Sequence, residues 1–176
     1  MKPRLLLATL PLALLCACTA HPPQSPAASD SAAPVAANQD ANLAARGEYL
    51  VRIAGCNDCH TPGYGERGGD LPKDAWLTGS PMGFSGPWGT TYAANLRLKA
   101  AEMDEAGWLH YTGNLHTRPP MPDYNVRDMT QEDRRALYRF LRQLGPAGDK
   151  APAYLPPGQA PSPPYLQWVL PPAPDA

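Results

Sequence analysis

Apolar positions recur at helical spacing in two stretches of this chain. In the first, Leu43, Gly47, Leu50, Val51 and Ala54 fall three or four apart behind Asp40 as a cap, which predicts a helix over 40–54. In the second, Leu137, Phe140, Leu141 and Leu144 line one face. Thr130 stands as its cap, Gln131-Glu132-Asp133 as its first turn and Gly145-Pro146 as its stop. That apolar face requires a partner. Gly47 has no side chain, so the second helix can approach the first closely there, with Leu137, Tyr138 and Leu141 as contacts. A short helix over 104–111 would turn Trp108 and Leu109 inward. No stretch alternates cleanly with period two, and 63–89 holds many Gly and Pro residues and reads as loop. The expected class is all-α, a small helical domain over 40–146.

The flanks have other compositions. Met1-Lys2-Pro3-Arg4 is basic and Leu5 to Leu15 is an apolar run too short to span a bilayer, which reads as an export signal over 1–17. Leu15-Cys16-Ala17-Cys18 resembles a bacterial lipobox, making Cys18 the lipidated first residue of an exported protein. Cleavage after Ala20 is the competing reading and would release a soluble periplasmic chain. Thr19 favours the outer membrane as the place of the anchor. His21 to Asn38 is almost entirely Ala, Pro, Ser and Gln, and 18–39 is expected to be a disordered tether. The tail, 147–176, is rich in Pro yet carries Tyr154, Leu155, Tyr165, Leu166, Trp168, Val169 and Leu170. The expectation is that Tyr165 to Leu170 packs back on the domain. With 15 basic and 16 acidic side chains, and Lys2 and Arg4 lost with the leader, the chain offers nothing for nucleic acid.

The chemistry sits at Cys56-Asn57-Asp58-Cys59-His60. C-x-x-C-H is the attachment site of a c-type haem: two thiols one helical turn apart add across two porphyrin vinyl groups, and the adjacent His60 binds the iron. A thioredoxin-like dithiol would want an α/β setting. A zinc site would want a further Cys or His pair. One such motif implies one covalently attached haem c per chain. With Cys18 lipidated and Cys16 discarded, no cysteine is left over. The sixth iron position then decides function. Met121, in Arg118-Pro119-Pro120-Met121-Pro122, is presented from a loop stiffened by prolines. Met82 is its rival, Met103 and Met129 adjoin helix starts, and His110 and His116 are expected at the surface. Leu50, Ile53, Trp76, Trp88, Trp108 and Leu141 are expected to form an apolar shell, and Trp88, Tyr92, Asn95 and Arg97 are candidates for the haem propionates. His60 should be neutral, its other ring nitrogen held by a backbone carbonyl.

A first helix, C-x-x-C-H, a Gly/Pro-rich loop, a Met-Pro loop and a closing helix together resemble a class I c-type cytochrome over about Ala45 to Gly145. More narrowly, Arg46-Gly47-Glu48-Tyr49-Leu50-Val51, Gly86-Pro87-Trp88-Gly89-Thr90-Thr91-Tyr92-Ala93-Ala94-Asn95-Leu96 and Met121-Pro122 before Met129-Thr130 are similar to haem domains in cytochrome subunits of membrane-bound bacterial dehydrogenases. The resemblance implies a mostly helical fold, His60 proximal and Met121 distal on the iron, and an electron carrier without enzyme activity of its own. Its partners would be redox proteins, a dehydrogenase or an oxidase. This chain differs in having a single motif, a shorter segment between Asn95 and Trp108, and no C-terminal membrane helix. Two other classes stay open: a small-ligand sensor or weak peroxidase with an open iron site, and a structural or assembly lipoprotein.

Overall fold

The computed structural model describes residues 32–171, and the export signal, the lipobox with Cys18, the cleavage site at Ala20 and the first part of the tether lie outside the described residues. Helix α1 spans Ala32–Ile53. It begins well before Asp40, which lies inside it rather than at its cap. Alanine is the best helix former, and Pro34 falls in the first turn, where its missing N–H has no partner to lose. The helix is broken after Ile53 because Gly55 adopts a left-handed φ of 68°, and the chain turns there into α2, Cys56–His60.

Helix α6, Gln131–Leu144, closes the domain against α1. Its cap is the expected one: the Thr130 hydroxyl accepts the Asp133 N–H at 3.1 Å. The crossing is set at Gly47, where a Cβ would overlap the Ala136 carbonyl and stand 2.7 Å from the Phe140 Cβ. Ala136 and Phe140 are therefore the touching residues, while Leu137, Tyr138 and Leu141 are buried in the core alongside. Arg46 and Asp133 close the rim of the crossing at 2.6 Å. Two further helices, α3 at Leu96–Ala101 and α4 at Glu105–Gly113, pack on α6, and α5, Asp123–Asp128, leads into it. Asp104 caps α4 through the Gly107 N–H at 2.8 Å, and the buried Trp108 donates its indole N–H to the Arg134 carbonyl at 2.9 Å. Between α2 and α3 the loop folds inward at Trp76, whose indole N–H meets the Leu71 carbonyl at 2.9 Å beneath the Arg52 guanidinium.

The all-α expectation is overturned, because the described chain is mixed: six helices and a three-stranded sheet, 44% helix and 9% strand. Strands β1, Gly83–Gly86, and β2, Gly89–Tyr92, form an antiparallel hairpin inside and just beyond the segment expected to be loop. The tail returns as β3, Tyr165–Gln167, parallel to β1, giving the order β2-β1-β3. Strands this short, with Gly at one or both ends and a Pro-Trp turn between them, carry no period-two signal. Their third partner is supplied from the far end of the chain. The tail returns to the domain through its backbone, while the side chains of Tyr165, Leu166, Trp168, Val169 and Leu170 stay exposed. Leu155 pairs with Thr90, the Tyr154 hydroxyl donates to the Trp88 carbonyl at 2.8 Å, and Arg118 lies 3.8 Å over the Tyr154 ring.

Two outcomes test this packing. Gly47→Ala should lower stability by about 2 kcal/mol, read as a lower midpoint of urea unfolding. Glu48, hydrogen-bonded to Lys73 at 2.5 Å and to Arg52 at 3.1 Å, has its carboxyl held below the ordinary value of 4.5 mainly by the Lys73 ammonium, against a smaller opposing effect of burial. A depressed carboxyl contributes stability above its unfolded value and loses it as pH falls through the folded one. Acidification below 4.5 should therefore cost the native protein up to about 1 kcal/mol, and Glu48→Gln should remove that part of the pH dependence.

Candidate functional site

Helix α2 is where the chemistry-bearing residues meet the core. His60 and Asn57 are buried, while Cys56 and Cys59 are half-buried with unpaired thiols. The His60 Nδ1 lies 2.7 Å from the Ala94 carbonyl. A carbonyl only accepts, so Nδ1 carries the proton and Nε2 keeps a lone pair. Burial also lowers the His60 pKa, against a smaller opposing effect of the Ala94 hydrogen bond, which keeps the imidazole neutral. The thiols move the other way: burial pushes Cys56 up to about 11, and raises Cys59, with the Asp58 carboxylate adding to both. Both are protonated thiols at neutral pH, unlike the thiolates of redox-catalytic C-x-x-C pairs.

A hydrogen-bonded clamp fixes α2 relative to the segment that bears Ala94. The Thr61 hydroxyl donates to Asn57 Oδ1 at 2.7 Å and accepts the Leu77 N–H at 2.8 Å. The Leu77 carbonyl accepts the Leu96 N–H at 3.0 Å, and the His60 carbonyl takes the Gly79 N–H at 2.9 Å. Ser80 is tied to the Ala93 carbonyl at 3.0 Å. Leu77 is fully buried and holds a φ of 60°, a left-handed conformation unfavourable for a residue with a branched side chain. The Asn57 Nδ2 is buried without a hydrogen-bond partner among the described residues. Neither Thr61 nor Ala94 was singled out from the sequence. The only signal is local: a small hydroxyl residue directly after His60, and an Ala-Asn-Leu run that starts a helix.

Met121 is half-buried on a loop closed by Asp123. One Asp123 carboxylate oxygen accepts the Thr117 N–H at 2.5 Å and the other accepts from Arg127 at 2.8 Å. Thr91 on β2 donates its hydroxyl to the Pro119 carbonyl of the same loop at 2.7 Å. Strand β2 thus touches the Met121 loop and runs on to Ala94 beside His60. Met82 is half-buried at the start of β1, its N–H on the Ser80 hydroxyl at 3.1 Å. Met103 and Met129 pack on the core, and His110 and His116 are exposed, His116 beside Arg127.

Other expected site residues are redistributed. Asn95 is consumed as the cap of α3, accepting the Leu98 N–H at 3.0 Å while its amide donates to the Ala147 and Asp149 carbonyls. Arg97 donates to the carbonyls of Gly145, Leu144 and Asp74 at 2.5 to 2.6 Å, so it caps the end of α6. Both side chains are buried and tie backbone segments of the framework together. The Trp88 indole N–H turns back to the Phe84 carbonyl at 3.3 Å within the hairpin. Tyr92 lines a shallow cavity of about 250 Å³ with Lys99 and Lys150. Leu50, Trp76, Trp108 and Leu141 are in the core, but Ile53 is exposed at the end of α1 and Trp88 is only half-buried.

Among the described residues no three His, Cys, Asp or Glu side chains are grouped to hold a metal ion by themselves. No protein-family model matches the chain, and no curated protein and no solved structure matches it. The clamp itself is open to test. Thr61→Val keeps the shape but strands the Leu77 N–H and the Asn57 Oδ1, which should cost about 2 kcal/mol in urea unfolding. The His60 ring, no longer held in register with Ala94, should show a shifted Nδ1 proton resonance.

Proposed function

We propose that this chain is a mono-haem c-type cytochrome that passes single electrons between redox proteins in the periplasm, anchored to a membrane by lipid on Cys18. The observation that carries the reading is His60: buried, neutral, fixed through Nδ1 to Ala94, with an Nε2 that has no hydrogen-bond partner among the described residues, directly after Cys59 and four residues after Cys56, both with unpaired thiols. Those are the groups that covalent attachment of haem c requires. Cys56 and Cys59 would hold the porphyrin, and His60 and Met121 would be the ligands of its iron. The raised thiol pKa values speak against a dithiol catalyst.

When bound, the haem supplies one-electron chemistry between ferric and ferrous iron. The chain's own residues set the conditions for it. Ala94 fixes the imidazole tautomer and raises its basicity as a ligand. Asp123, through Thr117 and Arg127, fixes the loop from which the Met121 thioether is offered. The Met121 thioether, as a ligand, would favour the ferrous state and would leave O₂ and peroxide no site.

The test is the visible spectrum of the protein made in a host that matures c-type cytochromes, oxidised and reduced, with and without carbon monoxide. A low-spin c-type spectrum with a thioether-to-iron band and no response to carbon monoxide is expected. Met121→Ala should abolish the band and admit carbon monoxide, while Met82→Ala should leave both unchanged. A response to carbon monoxide in the unaltered protein would replace electron transfer with ligand sensing or peroxidase chemistry. Absence of haem would end the proposal.

A further inference from the structure

The three-stranded sheet has one covered face and one open one. Residues paired across strands point to the same side, so Gly83, Ser85, Thr90, Tyr92 and Tyr165 share one face, and Phe84, Thr91 and Leu166 form a row on the other. The first face is covered at its centre, where Gly83, Ser85 and Thr90 are buried, although Tyr165 at its margin is 41% exposed, and Leu155 pairs with Thr90 along the outer edge of β2 at 2.8 and 3.0 Å. On the second, Trp88 folds over Gly86 and meets Trp168 edge to face at 5.6 Å. Leu166 is 51% exposed there and Trp168 44%. This is not a frayed end, since the Trp168 N–H is fixed to the Ser85 carbonyl at 2.7 Å. An ordered strip of large apolar side chains left uncovered is a surface built for an apolar occupant.

The position of the strip identifies the occupant. Thr91, in line with Phe84 and Leu166, holds the Pro119 carbonyl in the loop of Met121, and the same strand continues to Ala94 and thus to His60. The row carries no charged side chain. We infer that Phe84, Leu166, Trp88 and Trp168 are a wall of the haem enclosure, contributed by the hairpin and the C-terminal tail together. The inference rests on the proposed function. It assigns the tail a role in excluding water from the cofactor, and exclusion of water raises the reduction potential.

The experiment uses the full-length haem-loaded protein. In the unaltered chain, the Leu166 methyl resonances should shift between the ferric and ferrous forms several-fold more than those of Val169, whose side chain is 86% exposed. Leu166→Glu should lower the midpoint potential, by placing a carboxylate that favours ferric iron against the cofactor, whereas Val169→Glu, with the same change of charge, should leave it in place. Haem present with Leu166 resonances unmoved, or with equal potentials in the two variants, would overturn the inference and leave the proposed function standing. A protein without haem would overturn both.

Discussion

The structure depends on a clamp at Leu77. Its N–H is taken by Thr61 and its carbonyl by Leu96, so one buried residue joins the helix of the thiols and the imidazole to the segment that supplies Ala94. To serve both partners Leu77 accepts a left-handed backbone, a strain of order 1–3 kcal/mol that persists only where surroundings over-determine it. Leu77 lies in one buried cluster with Leu50 and Val51 of α1 and Leu137, Phe140 and Leu141 of α6, two helices pressed together at Gly47 closely enough that no side chain fits between. Helix packing holds the clamp, and the clamp holds His60 against Ala94.

Polar side chains in the interior are framework in the same sense. Arg97 gathers three carbonyls from two chain segments, and Asn95 ties the start of α3 to the beginning of the tail. A guanidinium spent on backbone carbonyls satisfies acceptors that the end of α6 leaves over. It also welds the last helix to the loop ahead of the sheet. Asp123 does the equivalent for the Met121 loop, where prolines remove donors and leave the carboxylate to supply closure.

Helices α4 and α6 and the second half of α1 were legible because their signals are local, whereas the early start of α1 and the six-residue helices α3 and α5 were not. Thr130, Asp104 and the spacing of Leu137, Phe140, Leu141 and Leu144 lie within a few residues of what they control, and Gly47 announced a close crossing even though Ala136 and Phe140, not Leu137 and Leu141, fill it. The motif at 56–60 was equally plain. The sheet was not, because four-residue strands of Gly, Ser and Thr have no period to read and β3 finds β1 across most of the domain. The capping roles of Asn95 and Arg97 were hidden for a related reason. A polar residue near a motif looks the same in sequence whether it faces a ligand or a helix end, and only the fold distinguishes the two.

The parallel pairing of β1 with β3 and the packing of α6 on α1 join segments far apart in the chain. Contacts of such long sequence separation form late, since loop closure must come before them. A chain emerging from its N-terminus presents residues 56–60 well before Gln131–Leu144 or Tyr165–Gln167 exist to pack on α1 and β1. The order of the elements therefore gives the thiols and the imidazole an interval of open access, and the arrival of the C-terminal residues ends it.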